Sequence, residues 1–413
     1  MKNGWTGGQY SLFRALFGAY LFVHFVQLAP WAAELFSSEG VLPKASDSPL
    51  IHAFPNILAL SDSPIFVTGL LVVAAMLSLL FAVGKHDRVA AVCLWYIWAC
   101  LFGRNPLISN PGLPYVGWVL LAHSFLPPAP YGSWAARGRI DPGGGWRMPP
   151  GIFAVAWILM AVGYSYSGYT KLISPSWLDG TALARVLENP LARPTMLTEF
   201  VAGRPVSLLK VMTWGALAFE LLFAPLALSR RLRPPLWLGM VSMHVGLIVL
   251  VDFADLSLGM LMLHLFTFDP AWIRPRPATE TETIFYDGNC GLCHRAVRFV
   301  LAEDTAGNAF RFSPLGGETF IAEVPEDSRS QLADSVVVRT ADGKLLERSV
   351  AARLIMHRLG GAWRAIAIVT GWIPRPVLDI AYDSVARVRH RLFQKPTEAC
   401  PLLPAELRSR FQP

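Results

Sequence analysis

"TIFYDGNCGLCHRAVRFV", residues 283–300, decides how the C-terminal part of this chain folds. The run "TIFYDG" has the composition of a short β-strand. In "CHRAVRFVLAEDT" the apolar residues recur at helical spacing. The stretch therefore predicts that Cys290 and Cys293 lie at a strand-to-helix junction.

The predicted junction gives the two cysteines different roles. A cysteine at the start of a helix meets unpaired backbone N–H groups and the positive end of the helix dipole. Both stabilise a thiolate, the form of sulfur that attacks a disulfide. Cys290 is therefore the predicted nucleophile, and Cys293, one turn later, is predicted to resolve the mixed disulfide. Asp287 is predicted either to shuttle a proton or to cap the helix.

Three other uses of this cysteine pair stay open at this point. With His294, the sequence also has the pattern of a c-type haem attachment site, but that chemistry normally requires export. Zinc needs four ligands, whereas Cys290, Cys293 and His294 supply three, and the sequence contains no second CxxC. The third alternative is a structural pair without redox activity. We predict no metal site and assign no certain cofactor.

Composition divides the chain into two parts. The 413 residues are 53% hydrophobic and only 16% charged, against about 25% charged residues in a soluble domain. Nearly all long apolar runs fall in residues 1–272, and 277–413 read as a mixed α/β domain. We expect a multi-pass α-helical membrane domain over 1–272 and a small thioredoxin-like domain over 277–413. The net charge is +7, and much of it lies in short basic clusters between the apolar runs, so no nucleic-acid partner is predicted.

The apolar runs predict about eight spans. A span needs about 20 mostly apolar residues. The predicted spans are 11–33, 64–84, 87–103, 113–128, 150–171, 207–228, 235–252 and 256–270. Basic clusters at 137–147 and 230–233 place those loops inside by the positive-inside rule. The prediction is a bacterial inner-membrane protein with its N-terminus and its redox domain in the cytoplasm.

Ionisable residues inside spans are costly and are therefore functional candidates. Lys171, Glu220 and His244 form the predicted membrane site, and His123 and His264 are further candidates. Snorkelling to the interface, or hydrogen bonding between helices, is the alternative for such residues.

The part of the chain from "FYDGNCGLC" onward is similar to the DCC family of thiol-disulfide oxidoreductases. The resemblance covers about 280–400 and includes the Asp-Gly-x-Cys-x-x-Cys signature at Asp287–Cys293, "DSVVV" and "ERSVAARLIMHRLGG". It implies thiol–disulfide exchange with a thiol or disulfide substrate, either a protein or a small molecule.

The membrane part resembles the horizontally transferred transmembrane domain family, which includes the vitamin K-dependent γ-carboxylase. "YSGYTKLISPSWLDGTAL", residues 166–183, resembles the carboxylase segment with the catalytic lysine, and Lys171 falls on that lysine. "MHVGLIVLVDFADLSLGMLMLH", residues 243–264, resembles a later histidine-containing span. The resemblance implies a base at Lys171 acting on a quinol.

Three functions follow from these patterns. The first is a membrane-anchored thiol-disulfide oxidoreductase, with a quinone or another lipophilic molecule as a possible partner in the bilayer. The second is a non-catalytic membrane scaffold or transport factor with structural cysteines. The third is a quinol-dependent, carboxylase-like enzyme that uses Lys171.

Overall fold

A computed structural model describes residues 3–277, 280–333, 335–392 and 403–413. Contacts within the chain divide it into two compact units. The helical unit contains Phe13–Leu126 and Pro149–Phe268. The sheet unit contains the N-terminal residues up to Leu12, then Pro127–Met148 and Asp269–Pro413. The domain boundary expected between 272 and 277 stays a prediction, and the sheet unit includes two segments that lie before it in sequence.

The helical unit consists of helices joined by short turns. Its helices are α1 (Gly7–Leu28, which begins in the sheet unit), α2 (Ala32–Phe36), α3 (Pro64–Val83), α4 (Asp87–Arg104), α5 (Leu113–Ser124), α6 (Pro150–Lys171), α7 (Pro175–Leu178), α8 (Ala182–Leu187), α9 (Met196–Ala202), α10 (Val206–Leu221), α11 (Phe223–Ala227), α12 (Arg233–Leu250) and α13 (Ala254–Thr267).

Local signals fix the ends of α3. Ser63 is its N-cap, and the Ser63 hydroxyl accepts a hydrogen bond from the N–H of Phe66 at 3.4 Å. Pro64 occupies the first turn, where its missing N–H costs nothing. Gly84 ends the helix with φ of +71°, a left-handed conformation that glycine adopts without strain.

In the described part of the chain, four helical segments are long and apolar enough to cross a membrane: Gly7–Phe36, Pro64–Val83, Pro150–Lys171 and Arg233–Leu250. Each coincides with a predicted span. The other four predicted spans fall on α4, α5, α10 with α11, and α13. Of these, α5 has 12 residues, or about 18 Å of helix, which is short of a hydrocarbon core of about 30 Å. The count of eight spans stays a prediction.

The sheet unit is built on four strands: β1 (Glu282–Tyr286), β2 (Phe310–Pro314), β3 (Val337–Arg339) and β4 (Leu345–Glu347). Their order in the sheet is β2-β1-β3-β4. β1 runs parallel to β2 and antiparallel to β3, and β4 runs antiparallel to β3. A small α/β domain is predicted for this part of the chain, and the structure has there a mixed four-stranded sheet with helices.

The helices of the sheet unit are α14 (Gly291–Glu303), α15 (Glu318–Glu323), α16 (Glu326–Arg329), α17 (Arg348–Leu359), α18 (Gly361–Thr370), α19 (Arg375–Leu392) and α20 (Ala405–Arg408). Of these, α14 is the helix that the sequence predicts after the cysteines.

Successive side chains of β1 point to opposite faces of the sheet and belong to two separate core clusters. Ile284 packs in one cluster with Phe312 and Val338, its partners across the sheet. Phe285 points to the opposite face and packs with Phe320. All five side chains are buried, which explains why β1 is apolar throughout its centre.

A pair of glycines ends α17. Gly360 has φ of +75° and Gly361 has φ of +55°, conformations that L side chains rarely adopt. A Cβ on Gly360 would also lie 2.8 Å from the ring of Pro275. Glycine is therefore required where α17 turns into α18.

Candidate functional site

The cysteines lie in the turn that connects β1 to α14. The Asp287 carboxylate accepts a hydrogen bond from the N–H of Asn289 at 2.8 Å. The Asp287 carbonyl accepts another from the N–H of Cys290 at 3.2 Å. A side chain that bonds its own backbone two residues on forms a tight turn. Asp287 thus shapes the turn that delivers Cys290 to the helix start.

Cys290 is itself the N-cap of α14. Its backbone is extended, with φ of −104°, and its Sγ accepts a hydrogen bond from the N–H of Cys293 at 3.4 Å. This N–H is one of the helix donors that have no partner inside the helix. The Cys290 side chain is only 1% exposed and is a free thiol. In the structure, as predicted, the cysteine pair lies at the junction of a strand and a helix.

Cys293 differs from Cys290 in its surroundings. It is half-buried and lines a cavity of about 550 Å³, called the apolar cavity below. Side chains of β1, α14, α17 and α19 form most of the cavity wall. Of the two cysteines, Cys293 is the one in this wall. The attack by Cys290 stays a prediction, and burial makes Cys290 the less accessible sulfur.

His294 is held by the same turn. Its Nε2 lies 2.9 Å from the carbonyl oxygen of Gly288, so this nitrogen is the one that donates a proton there. Its ring meets the ring of Tyr286 edge to face, with centroids 5.6 Å apart. Both contacts orient His294 within the turn.

Glu303, at the end of α14, is a buried acid that the sequence analysis does not single out. Its carboxylate accepts hydrogen bonds from the Thr6 hydroxyl, from the N–H of Gly8 at 2.8 Å and from the Trp363 indole at 2.6 Å. Burial raises its pKa above the usual value for glutamate. No local signal reveals it, because Thr6 lies 297 residues away in sequence.

In the helical unit, Lys171 and Glu220 form an ion pair between α6 and α10. The Glu220 side chain is 6% exposed and that of Lys171 is 23% exposed. The Lys171 ammonium also lies over the ring of Trp177, 4.5 Å from its centroid. The structure therefore brings two of the three predicted membrane-site residues together.

His244 belongs to a neighbouring hydrogen-bonded group and lies close enough to Lys171 to be affected by its charge. Its Nε2 lies 2.8 Å from the hydroxyl of Tyr164, which also lies 3.3 Å from Nε2 of His264. Its Nδ1 lies 3.3 Å from the hydroxyl of Ser257. The sequence analysis does not identify Tyr164, although it lies seven residues before Lys171 and so on a similar face of α6.

His123 is a member of a third polar group in the helical unit. Its Nε2 lies 3.4 Å from the Asp87 carboxylate, which also pairs with Arg14 at 3.6 Å. The structure thus distributes His123, Glu220 and His244 over three groups.

A strand, a cysteine-containing turn and a helix on a mixed four-stranded sheet are the arrangement of a thiol-disulfide oxidoreductase domain. Comparison with known proteins agrees: residues 284–395 match the family model described as DCC1-like thiol-disulfide oxidoreductase. Through this domain the chain belongs to that family.

One relative is the uncharacterized protein YuxK of Bacillus subtilis (strain 168). The two sequences are 30% identical over 132 residues, which cover 32% of this chain and 94% of YuxK. No solved structure matches the chain. These similarities concern the sheet unit, and the resemblance of the helical unit to the carboxylase family stays a prediction.

Proposed function

We propose that the protein is a membrane-anchored thiol-disulfide oxidoreductase in which Cys290 and Cys293 alternate between a dithiol and a disulfide. The observation that carries the proposal is the hydrogen bond from the Cys293 N–H to Sγ of Cys290 at the start of α14. A helix N-terminus favours a negative charge on that sulfur. Family membership through residues 284–395 supports the same chemistry.

The fold of the sheet unit supports this reading. A parallel β1–α14–β2 unit is followed by an antiparallel β3–β4 pair, in the sheet order β2-β1-β3-β4. We assign this topology to the thioredoxin-like class, in which the helix after the first strand presents the reactive cysteines.

The reaction has two steps. A thiolate of the pair attacks a disulfide R–S–S–R, which forms a mixed disulfide and releases RS⁻. The second cysteine then attacks the protein sulfur of the mixed disulfide, which closes the Cys290–Cys293 bond and releases a second RS⁻. Two electrons pass from the dithiol to the substrate, and the two thiol protons go to the released thiolates. Either a protein or a small molecule serves as the substrate.

The helical unit anchors this chemistry to a bilayer. Four helical segments of sufficient length and apolar character support anchoring. We propose the bacterial inner membrane, with both the N-terminus and the redox domain in the cytoplasm, on the basis of the basic loops at 137–147 and 230–233.

Redox titration of the full-length protein in lipid nanodiscs tests the proposal. Alkylation followed by mass spectrometry measures the fraction of the Cys290–Cys293 disulfide at each thiol/disulfide ratio. We expect a two-electron transition in the wild type and none in Cys290→Ser or Cys293→Ser. A pair that stays reduced at every ratio would favour the scaffold alternative, in which the cysteines are structural.

A second candidate function rests on the Lys171–Glu220 pair. A buried acid beside a lysine in a membrane helix is a combination suited to moving a proton. This supports the alternative of a quinol-dependent, carboxylase-like reaction with Lys171 as the base. Loss of quinol consumption in Lys171→Ala, with quinol supplied in the nanodisc, is the result expected for that function.

A further inference from the structure

The turn between α18 and α19 exposes a group of large apolar side chains. Trp372, in the turn, is 82% exposed, and Ile380 of α19 is 64% exposed. We call this group the apolar tip, and its members are Ile368, Val369, Trp372, Ile373, Val377 and Ile380. The turn is held by its own backbone, since the N–H of Trp372 donates to the carbonyl of Val369 at 3.1 Å. A contiguous apolar patch of this kind marks an interaction surface.

Contacts on the inner side of α19 determine which of its faces points outward. Leu378 and Tyr382, one turn apart, line the apolar cavity. The hydroxyl of Tyr382 also accepts a hydrogen bond from the N–H of Val336 at 3.0 Å. Val377 and Ile380 lie on a different face of the helix, and both are exposed. One apolar face of α19 therefore packs against the sheet unit, and a second apolar face is left outside.

Basic residues accompany the apolar tip. Between 361 and 392 the sequence has five arginines and two aspartates: Arg364, Arg375, Arg387, Arg389 and Arg391 against Asp379 and Asp383. Both aspartates are already paired with arginines, at 3.1 and 3.5 Å. Arg387 is exposed and lies seven residues after Ile380, so the two side chains lie on the same face of α19. An apolar face flanked by basic residues is the pattern of a helix that binds an anionic lipid surface.

The start of α18 is fixed next to the end of the last predicted span. Gly361 begins the helix, and its N–H donates to the carbonyl of Ile273 at 2.7 Å. The span predicted over 256–270 ends three residues before Ile273, so the covalent chain keeps the two within about 10 Å. α18 is apolar, but its 10 residues, about 15 Å of helix, are too few to cross a membrane. A bilayer crossed by that span is thus within reach of the apolar tip.

We propose that the apolar tip enters the headgroup region of an anionic bilayer, so that the redox domain makes its own contact with the membrane. The inference rests on the proposed membrane anchoring and adds a lipid-binding surface in the sheet unit. Trp372 suits this depth, because an indole combines an apolar body with an N–H donor. Anchoring by membrane helices makes the contact intramolecular, so a small apolar surface with a few arginines is sufficient.

Photocrosslinking of the full-length protein in lipid nanodiscs tests the inference. The photoreactive residue p-benzoylphenylalanine, which inserts into neighbouring C–H bonds under ultraviolet light, replaces Trp372, and mass spectrometry identifies the adducts. The nanodiscs contain phosphatidylcholine and phosphatidylglycerol. We expect lipid adducts at position 372. The matched control is the same replacement of Ile321, an exposed apolar residue of α15 in the sheet unit, which should give only background.

The charge of the surface is tested separately. Arg387→Gln should lower the yield of lipid adducts at position 372 by up to about fivefold, because one basic residue near an anionic surface contributes about this factor to binding. Arg311→Gln, at an exposed position of β2, is the matched control and should leave the yield unchanged. Nanodiscs of phosphatidylcholine alone should lower the yield and remove the difference between the two variants.

Three results at position 372 would overturn the inference. They are lipid adducts at the background level, adducts with a second copy of the chain, and adducts with another segment of the same chain. The same photoreactive residue in place of Val72, which is 51% exposed on α3, shows how far the failure extends. Lipid adducts at position 72 without any at 372 would leave membrane anchoring intact. Background levels at both positions would mean that the proposed anchoring fails as well.

Discussion

The sheet unit and the helical unit place their candidate residues in opposite ways. In the sheet unit, Asp287, Cys290 and Cys293 are organised by hydrogen bonds between residues two or three positions apart. In the helical unit, Lys171 meets Glu220 across 49 residues of sequence, and Tyr164 meets His264 across 100. A local turn can therefore be read from sequence, whereas the helical unit's polar groups depend on helix packing.

From this comparison we expect the largest effect when either cysteine is replaced, and the property affected is formation of the intramolecular disulfide. Cys290→Ser and Cys293→Ser should each abolish formation of the intramolecular disulfide without unfolding the sheet unit, because serine is similar in size to cysteine and keeps the N-cap. Thiol quantification after oxidation, together with circular dichroism, checks both parts. Loss of helical signal in Cys290→Ser would mean that this sulfur is mainly structural.

Removal of Glu303 should have the next largest effect, in the sheet unit. Glu303→Ala leaves the Trp363 indole and the Gly8 N–H without their acceptor, which we expect to destabilise the sheet unit by about 3 kcal/mol. Cys290, 1% exposed, reports the unfolding of this unit through its rate of alkylation in urea. An unchanged alkylation midpoint would show that water replaces the carboxylate at no cost.

The equivalent change in the helical unit is Glu220→Ala. It leaves Lys171 without its partner, but Lys171 is 23% exposed and can reach solvent, so we expect a loss of about 2 kcal/mol, below the range for fully buried pairs. Alkylation of Cys100, which is buried in α4, reports unfolding here. The double variant Lys171→Met/Glu220→Leu should recover most of the loss, and no recovery would mean that the pair is not the source of the effect.

Replacement of Asp287 should have a smaller effect and separates its two predicted roles. Asp287→Ala removes the hydrogen bond to Asn289 and should cost about 1 kcal/mol, with slower disulfide formation. Asp287→Asn keeps an acceptor oxygen and should retain the wild-type rate within about twofold. A large rate loss in Asp287→Asn would instead assign the carboxylate to proton transfer.

We expect the smallest effect when Glu303 is replaced by glutamine, which changes how the free energy of unfolding depends on pH. The raised pKa of Glu303 means that the folded protein binds this proton more tightly than the unfolded chain. As pH rises through the ordinary glutamate range, about 4.3, and up to the folded value, the free energy of unfolding falls. Glu303→Gln should lack this fall, so its stability relative to the wild type improves with pH in that window. The rate of Cys290 alkylation in urea again measures stability. If the stabilities of the wild type and Glu303→Gln change with pH in parallel, the prediction is wrong.

The same contrast explains what sequence reasoning can reach. The cysteine turn and α14 follow from spacing and turn chemistry over a few residues. Four predicted spans coincide with long apolar helices. Tyr164 and Glu303 escape detection because their roles come from partners about 100 and 300 residues away, and nothing in their immediate neighbours encodes those contacts. The different burial of Cys290 and Cys293 also depends on tertiary packing.

The contact between Thr6 and Glu303 has a consequence for biosynthesis. The ribosome makes Thr6 long before Glu303, and the helical unit is translated in the interval between them. Because a contact across 297 residues closes a very long loop, the sheet unit cannot reach its final packing until nearly three quarters of the printed sequence has been synthesised. The oxidoreductase domain should thus mature late, and chains arrested before Glu303 should leave their N-terminal segment accessible to proteases.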